Sequence, residues 1–299
     1  MRKLLVLFIS IITLFSCSIE FPMSYDKDFD TTISIPKYRF GEGPLIVIDG
    51  SHNNFFTVTG LIQPLTKTLI SDGYRVITND KKFTEELLSK IDIIVITTPM
   101  SRSYKNFIQS YKGAFKKKEL RILQTWVEEG GSLLMFSEHF PFDDAIKPLL
   151  ETFEIETSIG ETIDPEFSEG GLIIFENERL ESTHPIVSGK REVNKLASYG
   201  GSSLTGKNYT NLLYLSENSK NIERQWVFSK GGPIGKGNSQ GIAGNYGAGK
   251  IVAFGDANGF TALVFDEGNG IKTKAGMNDE KYDWRNFVLN TFDWLSGSQ

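Results

Sequence analysis

The sequence predicts an α/β fold, with a mostly parallel sheet covered by helices on both faces and β-rich additions in the second half. Three observations carry this. Apolar runs at Leu45–Ile48, Tyr74–Thr78, Asp92–Thr98 and Ser132–Phe136 alternate with helical patterns. Most of these runs are almost continuously apolar, as strands buried on both faces must be. Two of them stop abruptly in short loops rich in acids and histidine, at the strand ends where parallel sheets gather ligands.

The first strand, Pro44-Leu45-Ile46-Val47-Ile48, ends at Asp49-Gly50. After the loop Ser51 to Gly60, apolar Leu61, Leu65, Leu69 and Ile70 recur at helical spacing, and Asp72-Gly73 stops the helix. Tyr74 to Thr78 is the second strand. Thr84 then caps a short helix with Glu85 and Glu86 in its first turn, where acids favour the helix dipole. The third strand is Asp92 to Thr98. An amphipathic helix over Lys116 to Glu129 is closed by Gly130-Gly131, and Ser132-Leu133-Leu134-Met135-Phe136 follows as the fourth strand.

The second half is less regular. Leu172–Phe175, Leu212–Leu215 and Gln225–Phe228 read as short strands among Gly, Ser and Asn clusters, and Gly231 to Gly249 reads as a hairpin region. Gly244 to Lys250 has the wrong spacing for a phosphate loop. Lys250 to Asp256 restores the core-strand pattern, and Asp283 to Ser296 is a final amphipathic helix stopped by Gly297.

The N-terminus has its own pattern. Arg2 and Lys3 precede an apolar stretch, Leu4 to Phe15, which is short for a bilayer core of ~30 Å and ends at Leu14-Phe15-Ser16-Cys17. The run resembles a bacterial lipobox. Residues 1–16 are then a signal peptide and Cys17, the sole cysteine, the lipidated first residue of the mature chain. Residues 17–43 are expected to be a lipidated terminus and tether, and residues 44–299 one domain. The predicted address is the bacterial cell envelope, with attachment to the membrane through the N-terminal lipid. Ser18 leans that toward the outer membrane. Losing Arg2 and Lys3 takes the formal charge from −5 to −7, and no block of positive charge suggests nucleic acid.

Lipidation leaves no thiol for a nucleophile, a disulfide or a metal. Three histidines remain, His52, His139 and His184. The first two follow core strands, so Asp49, His52, Asn53, Glu138, His139, Asp256 and Asn258 are the expected ligand-binding set at one sheet edge. Phe55, Phe56, Phe140, Phe142 and Tyr246 could add apolar faces. The local alternative is that Asp49 and Asp256 cap turns and each histidine bonds loop backbone. Ser137 follows a strand where a nucleophile elbow would sit, but the glycines of such an elbow are missing. No His-x-His or His-Glu-x-x-His pair marks a metal, and nothing names a cofactor.

Several stretches carry a family resemblance: Val47–Phe56, Leu69–Val76, Trp126–Leu134, Glu138–Phe142, His184–Ile186, Phe254–Asn258 and Arg285–Leu295. Together they resemble an uncharacterised bacterial group allied to gliding-motility and intraflagellar-transport type domains and, more distantly, to ThuA-like proteins. The resemblance implies a flavodoxin-like sheet of the class I glutamine amidotransferase kind over about residues 44–297. It assigns no reaction. True amidotransferases need a cysteine after the strand corresponding to Ser132–Phe136, where this chain has Ser137-Glu138-His139, so glutaminase activity is excluded. The first expectation is a domain that binds a small molecule, a glycan or an envelope protein. The second is a hydrolase with His139 or His52 as general base, oriented by Glu138 or Asp49 and aided by a divalent metal.

Overall fold

The computed structural model describes residues 23–101, 112–139, 141–222, 237–268 and 271–297. Cys17, Phe140 and the strand expected at Gln225–Phe228 lie outside these residues. The main sheet has a parallel part made of β2 (Leu45–Asp49), β3 (Arg75–Asn79), β4 (Ile93–Ile96), β5 (Ser132–Phe136) and β15 (Gly249–Phe254). These strands lie in the order β3-β2-β4-β5-β15 with parallel register throughout. Counted along the chain this is 2-1-3-4-5, the flavodoxin-like order. Beyond β15 the sheet turns antiparallel through β14 (Ser239–Tyr246), β11 (Leu204–Gly206) and β6 (Ile155–Thr157), with β12 (Thr210–Tyr214) also on β14. The expected fold class, including its β-rich second half, is what the chain adopts.

Alternation along each parallel strand divides the core. Ile46, Ile48, Ile93, Val95, Leu134, Phe136, Val252 and Phe254 face one side, with Leu65 and Leu69 of α1 (Gln63–Ser71) and Phe287 and Phe292 of α6 (Trp284–Leu295). Val47, Ile94, Ile96, Leu133, Met135, Ile251 and Ala253 face the other, against α2 (Glu85–Leu88), α3 (Lys117–Glu128) and α4 (Phe142–Thr152). Successive side chains of a strand point to opposite faces, so a sheet buried on both sides needs apolar residues at every position.

Two features differ from the sequence expectation. Helix α4 was not anticipated, although Ala145, Ile146, Leu149 and Leu150 are buried at helical spacing; Pro148 inside the helix masks the pattern. The tether expected over 17–43 is, from Met23 onward, laid against the body. β1 (Met23–Tyr25) pairs antiparallel with β16 (Ala262–Gly268), which forms a hairpin with β17 (Ile271–Gly276). Further along, Ile33 donates its N–H to Ser71 Oγ at 2.8 Å, and Lys37 Nζ lies 2.9 Å from Asp293 Oδ1. Polar composition suggested a solvated segment, but specific distant partners hold it.

Candidate functional site

The carboxyl edge of the parallel sheet carries two acid–histidine groups, one beyond β2 and one between β5 and β15, with β4 between them. Neighbouring strands lie ~4.8 Å apart, which separates the two groups by about two strand spacings.

In the first group Asp49 closes β2 and the chain turns back on it. The Ser51 N–H and hydroxyl both donate to Asp49 Oδ1, at 3.0 and 2.9 Å, and Asn54 Nδ2 donates to Asp49 Oδ2 at 2.8 Å. His52 is fully buried, its ring 4.1 Å from that of Phe115 and 5.3 Å from that of Phe83. Its Nδ1 lies 2.9 Å from Asp49 Oδ2 and its Nε2 3.2 Å from Glu119 Oε1. A neutral imidazole carries one N–H, and ionised carboxylates only accept. Satisfying both contacts therefore takes one further proton, on the ring or on one of the acids. With both nitrogens engaged, His52 has none to offer a substrate, which removes it as a general base. Asn53 stands at φ 52°, a left-handed conformation that asparagine tolerates, and donates from Nδ2 to the Met100 carbonyl. Asn54 Oδ1 accepts from Thr97 Oγ1 and from the Thr98 N–H, joining the β2 and β4 loops at the point where the strand order reverses. Phe56 packs into the core as well.

The second group centres on Glu138, immediately after Ser137 at the end of β5. Glu138 has φ 52° and is 3% exposed. A left-handed turn costs a non-glycine residue about 1–3 kcal/mol and persists only where surrounding structure imposes it. Thus the sharp turn after β5 carries Glu138, and Ser137 lies buried behind it, its hydroxyl 2.5 Å from that of Ser202. Ala257 N–H donates to Glu138 Oε1 at 2.6 Å. Asp256, also 3% exposed, accepts four hydrogen bonds: Ser198 Oγ and Tyr199 N–H on Oδ2, Asn258 N–H and Nδ2 on Oδ1.

Burial pushes both carboxyls up to about 7, and the Glu138 charge adds to the shift at Asp256. The two side chains also share a hydrogen bond. Two buried carboxyls that share a hydrogen bond titrate as a pair and hold one proton between them, because both cannot ionise side by side. At neutral pH the pair therefore has one carboxylic acid and one carboxylate. His139 lies beside it, Nε2 4.0 Å from Glu138 Oε2, with its side chain 26% exposed and its ring 6.1 Å from Phe142. Phe142 in turn lies 5.9 Å from Phe55, which belongs to the first group's loop.

The expected set is thus present at one edge but divided. Asp49, His52 and Asn53 form one group, and Glu138, His139, Asp256 and Asn258 the other. Tyr246 is absent from both: it lies near the start of β15, at the opposite edge, where Gln124 Nε2 donates to its hydroxyl at 2.7 Å. His184 instead caps the short α5 (Pro185–Ser188), accepting from Ile186 N–H, and burial lowers its pKa to about 4. Two acids escaped the sequence reading. Glu119 is visible there only as a helix-start residue, and it does accept from the Lys116 N–H at 3.2 Å. Asp143, in the first turn of α4, accepts from Gly160 N–H, and burial pushes it up to about 7. Among the described residues, no three His, Cys, Asp or Glu side chains are grouped to hold a metal ion, and no helix is long and apolar enough to cross a membrane.

No protein-family model and no curated protein matches the chain. Among solved structures it is similar to the mmIFT52 N-terminal domain, at 17% identity over 85% of this chain and 98% of that one, with a TM-score of 0.58. That likeness shows a shared fold. A putative ThuA-like protein from Bacteroides uniformis matches at 11% identity over 90% of this chain and 95% of that one, TM-score 0.45. A putative GMP synthase protein from Thermoplasma acidophilum matches at 11% over 86% and 96%, TM-score 0.44. Both are too distant in shape to add to the first.

Proposed function

We propose that the protein is a lipid-anchored envelope lipoprotein whose α/β domain binds a hydroxyl-rich ligand, a glycan in the first instance, at the Glu138–His139–Asp256 end of the sheet. The observation that carries this reading is Glu138: a buried acid held in a left-handed turn and paired with a second carboxyl, with burial pushing both to about 7. The pair holds one exchangeable proton between its two acids, with Glu138 Oε2 4.0 Å from His139 Nε2. His139, whose ring nitrogens can donate or accept, supplies a partly exposed polar contact next to the pair, of the kind a hydroxyl group requires. The anchor rests on Cys17 at the end of its short apolar stretch.

The test uses the full-length protein in detergent, titrated calorimetrically with soluble peptidoglycan fragments and outer-membrane oligosaccharides. Wild type should bind one of these classes, and Glu138→Gln and His139→Ala should each lose that binding. Equal binding by all three proteins, or heat from none of them, rejects the glycan site. Palmitate labelling tests the anchor, since Cys17→Ser should abolish incorporation and membrane fractionation.

A further inference from the structure

We infer that the protein lies directly on the bilayer, with the turn end of the β16–β17 hairpin as its membrane-facing surface. This deepens the lipoprotein reading and rests on it. The expected tether of residues 17–43 would hold the domain up to ~90 Å from its lipid. The pairing of β1 shortens that reach. Only Ser18 to Pro22 separate Cys17 from Met23, and six residue steps span at most about 20 Å when fully extended.

The register gives the direction. Met23 pairs with Phe265 and Tyr25 with Leu263, so the chain enters β1 from the side of Asp266 and Gly268, the turn end of the hairpin. At that end Ile271 pairs with Gly268 and is 58% exposed, a large apolar side chain with no core to enter. Asp266 and Glu267 on β16 balance Lys272 and Lys274 on β17. The attachment is therefore apolar and lipid-driven, not a basic patch seeking anionic headgroups.

The base of the same hairpin reaches the candidate site. Gly276 N–H donates to Tyr199 Oη at 3.3 Å, and Tyr199 N–H donates to Asp256 Oδ2 at 2.6 Å. The site therefore stands at the far end of the hairpin, six residue steps or about 20 Å along β16 from the turn end. A competing face exists at the amino edge of the sheet, where Phe40 is 84% exposed.

The two faces can be set against each other. Ile271→Cys and Phe40→Cys are made in the full chain, whose only native thiol is consumed by lipid, so a thiol-reactive, environment-sensitive fluorophore marks the new position alone. The lipidated proteins are reconstituted on phosphatidylethanolamine–phosphatidylglycerol vesicles with brominated acyl chains. The label at 271 should be blue-shifted and quenched at low and high salt, while the label at 40 keeps its emission in water. Equal emission from both positions, or quenching at 40 alone, overturns the orientation. Palmitate incorporation is measured on the same samples. Its absence overturns the lipoprotein reading together with this inference, whereas incorporation with an unquenched label at 271 overturns the inference alone.

Discussion

The two acid–histidine groups share one sheet edge yet are neutralised in opposite ways. Beyond β2, two carboxyls from distant parts of the chain enclose one histidine, and Phe83 and Phe115 seal it. Beyond β5, two carboxyls share a proton, and the adjacent histidine keeps about a quarter of its side chain in water. A buried ring with both nitrogens engaged fixes a loop to a helix start. A protonated acid beside a carboxylate, with a partly open histidine next to it, retains chemistry that a ligand can use. An acid near a histidine in sequence does not decide between these outcomes; the third group that arrives from elsewhere does.

The comparison breaks most directly at His52. His52→Ala leaves Asp49 and Glu119 buried without the ring between them, and should cost about 3–5 kcal/mol in denaturant unfolding of the full chain. A cost like that of a surface substitution would mean the first group is not a structural lock.

The next largest effect is a pH dependence. The carboxyl of Glu138 is raised from 4.5 to about 7 on folding, so the folded state holds a proton that the unfolded chain releases. Its contribution to stability is fully present below pH 4.5 and is lost as pH rises through about 7. At ~1.4 kcal/mol for each pH unit between those two values, the loss is on the order of 3 kcal/mol. Glu138→Gln cannot release a proton, so stability measured from pH 4 to 8 should fall less steeply than in wild type. Asp143 and Asp256 are raised in the same way, each chiefly by burial, and should keep part of the slope in that variant. Identical slopes in the two proteins would place the shared proton elsewhere.

Glu119→Gln keeps the shape of the first group but removes one charge, and should cost about 1.5–3 kcal/mol, the worth of a hydrogen bond to a charged group. Binding at the second group should be unaffected, which calorimetry on the same variant reads. The smallest effect belongs to His139→Ala, within about 0.5 kcal/mol of wild type in unfolding because its side chain is partly solvated. A large loss of stability there would make the two histidines alike and dissolve the contrast.

Much of this edge was legible beforehand. Apolar runs ending at Asp49 and Phe136 placed the loops of His52 and His139 on one side of the sheet, because parallel strands all point the same way. The grouping within the edge was not legible. Glu119 lies 67 residues from His52, in a helix start where a capping role already accounts for it. The left-handed turn at Glu138 was hidden as well, since a glutamate carries no sign of the strain that a glycine would have advertised.

The parallel core, its carboxyl edge and the loops that line it can all be read from the order of residues. These follow from periodicity and chain direction, which are local properties of neighbouring residues. Folding in three dimensions settles which acid meets which histidine, which two carboxyls come to share a proton, and that Met23 to Tyr25 form a strand against β16. Such contacts join residues far apart in the chain, and burial selects them. A carboxyl removed from water must find a cation, a donor or a proton, and which of these is within reach is fixed by how the sheet and helices pack.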